Sequence, residues 1–236
     1  MTTVEQESWR DDYEALRAWR SRLDDRGVLV FSLEIGKNDV RGFSAWDDKA
    51  PLIVMNASSV SAAARAFTIG HELGHLVARQ DSACIESEGP APLDSPVERW
   101  CEEFAAALLM PAPRVRALAR ERSMSAASAD IADVRAVMTR FRVSARAAAL
   151  RLIDLGLAPV RLYGEVVAIF RPRPPESSSR DIKRPRRSIQ RVNQFGPRAL
   201  GIVLQDEEPF EALSILRMTV PDVRELAEQV PGVVAL

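Results

Sequence analysis

Histidine is almost missing from this chain: its 236 residues hold 2, His71 and His75. Cysteine is equally scarce, with Cys84 and Cys101 alone, too few for the disulfide framework of a small secreted domain. Aromatic residues are few and tyrosine occurs twice, as Tyr13 and Tyr163. No apolar run approaches the ~20 residues that span a bilayer. The N-terminal stretch MTTVEQESWRDDYEALRAW lacks the apolar centre of a signal peptide. A formal net charge of −1 removes any global argument for nucleic acid or a membrane surface. What remains is an ordinary globular composition, 47% apolar and 28% charged. The default compartment is the cytoplasm, with reduced thiols, and the length suits one large domain or two small ones.

The pattern along the chain is helix, small sheet, then a mainly helical body. From Ser8 to about Arg26, Trp9, Tyr13, Leu16, Trp19 or Arg20, and Leu23 recur at helical spacing, and Gly27 ends the helix. Residues 28–35, the region from Gly42 to Ala45 and residues 51–56 read as short strands, with WDDKAP as a turn. After Asn56 comes a long helix, ASSVSAAARAFTIGHELGHLVARQ, with Ser58, Ser59 or Ser61 as its cap. Residues 81–95, rich in Ser, Glu, Pro and Gly, read as a loop before a second helix, PVERWCEEFAAALLM, stopped by Pro111 and Pro113. Three more helices follow, two of them capped by Asp130 and Ser144. RLYGEVVAIF (161–170) reads as strand, and the tail from about Val192 shows helical apolar spacing. The expected fold is α+β, a small antiparallel or mixed sheet packed on a helical core, with a mainly helical C-terminal part.

The two histidines stand four apart in FTIGHELGHLV (67–77). Positions i and i+4 share a helix face, so both imidazoles can converge on one point, as a tetrahedral zinc requires. Glu72 lies about 100° round the helix from His71, close to such an ion without being forced to ligate it. A carboxylate there can take a proton from a zinc-bound water whose pKa has fallen to about 7. Gly74 lets another element approach. The pattern is H-E-x-x-H, and two protein ligands call for a third. No histidine remains, and Cys84 sits in the expected loop. The candidates are Asp81, Glu86, Glu88, Asp94, Glu98, Glu102 and Glu103. In the second helix Val97, Cys101, Phe104, Ala105 and Leu108 form the apolar stripe, with Glu98 and Glu102 on its border. For Glu98 a second account stands beside the ligand role: Ser95-Pro96-Val97-Glu98 has the form of a capping box.

RAFTIGHELGHLV followed by ERWCEEFAAALLMP resembles the ImmA/IrrE metallopeptidases, whose pattern is H-E-x-x-H and then E-x-x-x-N-x-F-A-x-x-x-L-x-P. RGFSAWDDKAPLIVMN is similar to their strand pair, and the resemblance covers roughly residues 10 to 160. It implies a zincin-like core, zinc ligands at His71, His75 and Glu98, and Glu72 as catalytic base. Manganese or iron also suits such a donor set. Glu102 departs from the pattern, standing where the family has asparagine. Its two readings are a carboxylate that orients a zinc histidine from behind and a solvated surface residue. The implied reaction is metal-assisted amide hydrolysis, with Tyr163 as a candidate oxyanion donor and packing as its alternative. PLIVMN offers either a strand edge for an extended substrate or simply buried apolar residues.

The resemblance also implies a regulatory protease acting in a stress or mobile-element response, whose protein substrate is a helix-turn-helix repressor met in trans. Residues 1–170 are then the zinc metallopeptidase domain, 171–191 a basic Pro/Ser-rich linker and 192–236 a small helical C-terminal segment. Residues 171–198 hold nine Lys/Arg against two acids, yet Phe195 is their one aromatic, which favours a solvated linker over a nucleic-acid grip. The rival function is a non-catalytic zinc-containing regulator that acts on a repressor or on DNA through this basic segment.

Overall fold

A computed structural model describes residues 3–35, 40–58, 61–79, 82–85, 95–170 and 186–229. A short helix α1 (Thr3–Gln6) leads into α2 (Asp12–Asp24). This helix begins later than the apolar spacing suggests, because Asp11 caps it: its carboxylate accepts from the Glu14 N–H at 2.7 Å. The Ser8 hydroxyl turns back to the Glu5 carbonyl instead. Leu16, Trp19 and Leu23 are buried, and Trp9 meets Trp19 edge to face. Tyr13 is exposed, with the Arg65 guanidinium over its ring.

Strands β1 (Leu29–Leu33), β2 (Val40–Ala45), β3 (Leu52–Asn56) and β4 (Ser82–Ile85) form one mixed sheet in the order β1-β3-β2-β4. β1 runs parallel to β3, and β2 runs antiparallel to both β3 and β4. The WDDKAP turn closes on Asp47, whose Oδ1 accepts from the N–H groups of Lys49 and Ala50. Two expectations change here. PLIVMN is an interior strand, paired on both sides with Ile53, Met55 and Asn56 fully buried, so it has no edge to offer a substrate. Residues 82–85, expected in a loop, are the edge strand β4. Their period-two signal is too short to stand out among the flanking Ser, Glu and Pro.

Helix α3 (Ala62–Val77) lies against the sheet, and Ser61 is the serine that caps it, accepting from the Ala64 N–H. α4 (Pro96–Leu109), α5 (Ala112–Glu121), α6 (Ile131–Phe141) and α7 (Ala145–Asp154) follow, the last two capped by Asp130 and Ser144. Residues 161–170 are not a strand: Arg161–Ile169 form helix α8. The β-branched composition misleads there. Leu162 and Val166, one turn apart, are buried against the core, and that burial outweighs strand propensity. The fold is α+β with a mainly helical remainder, as the sequence pattern implies.

Beyond residues 171–185, which lie outside the described residues, come α9 (Arg187–Asp206), α10 (Pro209–Leu216) and α11 (Val220–Gln229). They enclose their own apolar cluster, including Leu200, Leu216, Val223 and Leu226. α9 breaks at Gly196, where φ is +77°, just before Pro197. The carbonyls of Asn193 and Gln194 that the break exposes are taken up by Arg20, which also binds the Val30 carbonyl. Burial lowers the Arg20 pKa to about 10. Phe31 of β1 and Phe195 of α9 meet edge to face beside it.

At the other end, Glu7 receives a two-pronged contact from Arg114, both oxygens at 2.6 Å, and a third bond from Arg140. Those arginines, Arg114 first, hold its carboxyl below the usual range. A lowered folded pKa gives stability above the unfolded value of 4.5, lost as pH falls through the folded value. With both guanidinium groups partly exposed, Glu7→Gln should cost about 1–2 kcal/mol at pH 7, and the difference should shrink below about pH 4. Urea unfolding of both proteins at the two pH values checks this.

Candidate metal centre

α3 and α4 pack unusually close because α3 carries glycine where they touch. A Cβ on Gly74 would sit 3.1 Å from the Cα and Sγ of Cys101, and one on Gly70 would sit 3.3 Å from the Cβ of Ala105. The sequence supplied only Gly74 as a reason to expect such an approach; Gly70, one turn earlier, completes the groove. Along α4 the fully buried residues are Cys101, Ala105 and Leu109, while Val97, Phe104 and Leu108 lie at the margin of the stripe.

This contact brings His71, His75 and Glu98 together. The two Nε2 atoms are 3.1 Å apart, and each lies 3.2 Å from an oxygen of Glu98. Three such separations suit one ion: a tetrahedron with ligands ~2.0–2.1 Å from its centre has edges of about 3.3 Å. Both imidazoles are almost wholly buried. Burial, and then the neighbouring His75, lower the His71 pKa from its ordinary 6.5, so the ring is neutral and able to ligate at pH 7. No fourth His, Cys, Asp or Glu joins the cluster among the described residues.

The capping account of Glu98 does not hold here. Ser95 occupies the N-cap, but no side-chain cap bond forms, and the Glu98 carboxylate is turned to the histidines. Glu102, one turn on, places Oε1 3.9 Å from Nδ1 of His71, near its rear nitrogen but beyond hydrogen-bond length. Its side chain is 47% exposed, so it stands at the rim of the cluster, where partial burial raises its pKa and the charge of Arg41 works in the opposite direction. Cys101 faces the Gly74 backbone rather than joining the cluster. Burial, reinforced by the charges of Glu98, Glu72 and Glu102, pushes its thiol up to about 12, so it remains a thiol. Asp81, Glu86, Glu88 and Asp94 lie outside the described residues, as does the side chain of Cys84. Tyr163 sits in α8 at the fringe of the apolar core, on a helix that contacts α6 and α7.

Glu72 is fully buried between α3 and the sheet. Ser44 of β2, also buried, donates its hydroxyl to Oε2 of Glu72 at 2.8 Å. Gly42, two residues earlier on the same face, is the clearance that lets β2 sit there: a Cβ would come within 2.7 Å of the Thr68 methyl and 2.8 Å of the Val54 carbonyl. The sequence reading missed Ser44, because a serine in a short strand carries no signal until register shows which residue it faces.

A family model for the IrrE N-terminal-like peptidase domain matches residues 23–153, more than half of the chain. The chain belongs to that family. Membership makes it a zincin-like metallopeptidase in kind, and the matched span contains both helices of the histidine and carboxylate cluster. No curated protein gives a significant match to the chain. No helix among the described residues is long and apolar enough to cross a membrane.

The two glutamates of α4 should separate in a zinc titration. Removing a direct ligand should exceed the ~10–100-fold cost usual for residues that only orient ligands, so Glu98→Gln should weaken zinc binding by more than about 100-fold. Glu102→Gln, at 3.9 Å from its histidine, should cost less than about 10-fold. Competition with a chromogenic chelator measures both.

Proposed function

We propose that the chain is a metal-dependent endopeptidase whose substrate is a helix-turn-helix transcriptional repressor supplied in trans, and whose output is inactivation of that repressor in a stress or mobile-element response. The observation that carries the catalytic part is the arrangement of Glu72. It is buried, oriented by Ser44 and placed on the same turn as a donor cluster with three protein ligands and no fourth among the described residues. A purely structural zinc site is normally closed by four protein ligands, often cysteines.

The donor set fits a divalent ion: two imidazole nitrogens and one carboxylate, at mutual distances of 3.1–3.2 Å. Zinc is the ion the family suggests, and manganese or iron suits the same donors. When bound, such an ion supplies Lewis acidity and makes water more acidic. The chain's own residues do the rest. Glu72 takes the proton of the attacking water and returns it to the amide nitrogen as the C–N bond breaks. Ser44 holds the carboxylate in one orientation throughout, and burial keeps bulk water from competing for that proton.

Action on DNA through the basic segment is the weaker reading. Of the nine cations in 171–198, Arg171, Arg173, Arg180, Lys183 and Arg184 lie outside the described residues, and the other four are engaged within the protein. Arg186 pairs with Glu225, Arg187 lies 4.0 Å from Asp222, Arg191 bonds Gln194 and covers Phe195, and Arg198 bonds Asp24. Each is thus already engaged by a group of the protein, although the Arg186 and Arg187 side chains stay largely exposed. Residues 187–191, expected in the linker, belong to helix α9, and the linker reading is kept for the Pro/Ser-rich residues before it.

Co-expression with a helix-turn-helix repressor encoded nearby should give a cleavage product that disappears with a chelator and with Glu72→Gln. That variant should lose at least about 1000-fold in cleavage rate while retaining zinc. A repressor left intact by the zinc-loaded wild-type chain would remove the substrate assignment, and an effect that survives Glu72→Gln would remove catalysis as its cause.

A further inference from the structure

Charge is unevenly spread along the chain. Residues 112–151 hold nine arginines and three carboxylates, although the whole chain carries −1. Four of those arginines, Arg122, Arg135, Arg140 and Arg142, line a groove of about 690 Å³ between α5, α6 and the residues beside them. Leu118, Ala132 and Ala136 give the groove an apolar floor. The two carboxylates on its walls, Glu7 and Glu121, both bond Arg140. Arg122 bonds Asp133 and Arg142 holds the Trp9 carbonyl, so these guanidinium groups are fixed in place. Arg135 is exposed and, among the described residues, lies over the ring of Phe170 without a carboxylate partner. No lining residue belongs to the metal cluster.

A surface of opposite character stands at the junction of α9 and α10. Asp206, Glu207, Glu208 and Glu211 are exposed there and form no ion pair among the described residues. In their midst Phe210 is 86% exposed, the most exposed large apolar side chain among the described residues. A phenyl ring held in water is costly, and docking it against an apolar floor recovers that cost. We propose that two copies of this chain associate, with the Phe210 corner of one seated in the arginine groove of the other. The ring covers Leu118, Ala132 and Ala136, and its flanking carboxylates face the guanidinium groups on the walls. Arginine forks suit carboxylates, and matched charges fix which surfaces meet. Because the two surfaces differ, the contact closes on itself only when each copy's corner enters the other's groove; otherwise it adds copies in a row.

Sedimentation equilibrium of the full-length chain, from about 1 μM to 1 mM, tests this. The average mass should climb above that of one chain as concentration rises. The climb should shrink in about 1 M salt, where exposed charges are screened. Phe210→Ala should weaken association by at least about 10-fold, as loss of an aromatic anchor does. Arg135→Glu should weaken it too, and Arg135→Glu combined with Glu211→Arg in one chain should recover part of the loss. Both positions are exposed, so the melting midpoint should hold. If Arg135→Glu melts early, Thr139→Glu, at another exposed position on the groove, replaces it under the same criteria. A single-chain mass at every concentration overturns the proposal, as does association indifferent to Phe210→Ala and to the groove variant. It is equally overturned if the chain stays single and the groove instead binds a duplex oligonucleotide, with that binding lost in Arg135→Glu.

Discussion

The close approach of α3 and α4 is the constraint on which the rest depends. A histidine pair on one helix is only two-thirds of a metal site; the remaining donor must arrive from another element at a fixed distance. Glycine at 70 and 74 removes the side chains that would hold α4 away, and alanine and cysteine on the facing surface are small enough to occupy the groove. Glu98 then reaches both Nε2 atoms at once. The opposite flank of α3 shows the same strategy: Gly42 lets β2 lie directly over the helix, and Ser44 touches Glu72. Three glycines on two elements thus clamp α3 from both sides.

The clamp has an electrostatic result. Three carboxylates, a thiol and two imidazoles occupy one small region, with Glu72, Cys101 and both imidazoles buried and Glu98 and Glu102 open to solvent at its rim. The groups respond in different ways. The thiol stays neutral, and His71 is kept in its ligating form by burial and by its twin. Glu102 is drawn toward protonation by burial and away from it by Arg41.

The convergence of His71 and His75 was legible from the sequence because H-E-x-x-H is a local pattern: helical periodicity alone converts spacing into direction. Helix caps at Ser61, Asp130 and Ser144 were legible for the same reason, each satisfying donors two or three residues away. Glu98 was not decided locally, since a capping box and a metal ligand have the same residue type at the same place. Only the position of α3 distinguishes them. Ser44 depends on strand register, fixed by pairing across the sheet rather than by neighbours in sequence. Helix α8 misled because its Val and Ile content suggests strand, while the i, i+4 burial of Leu162 and Val166 requires a core to be seen. β4 was hidden by its four-residue length.

The break in α9 has a consequence for the sheet. The family's match ends at residue 153, yet the far side of β1 is not open to solvent in the manner of an ordinary strand border. Arg20 occupies the Val30 carbonyl and the ends of the broken helix together, and Phe195 lies on Phe31. The C-terminal helices act as a stopper on a row of backbone groups that would otherwise recruit another chain. A protein trimmed to the matched segment would keep His71, His75 and Glu98 and lose that stopper, turning a closed rim into a template for self-association.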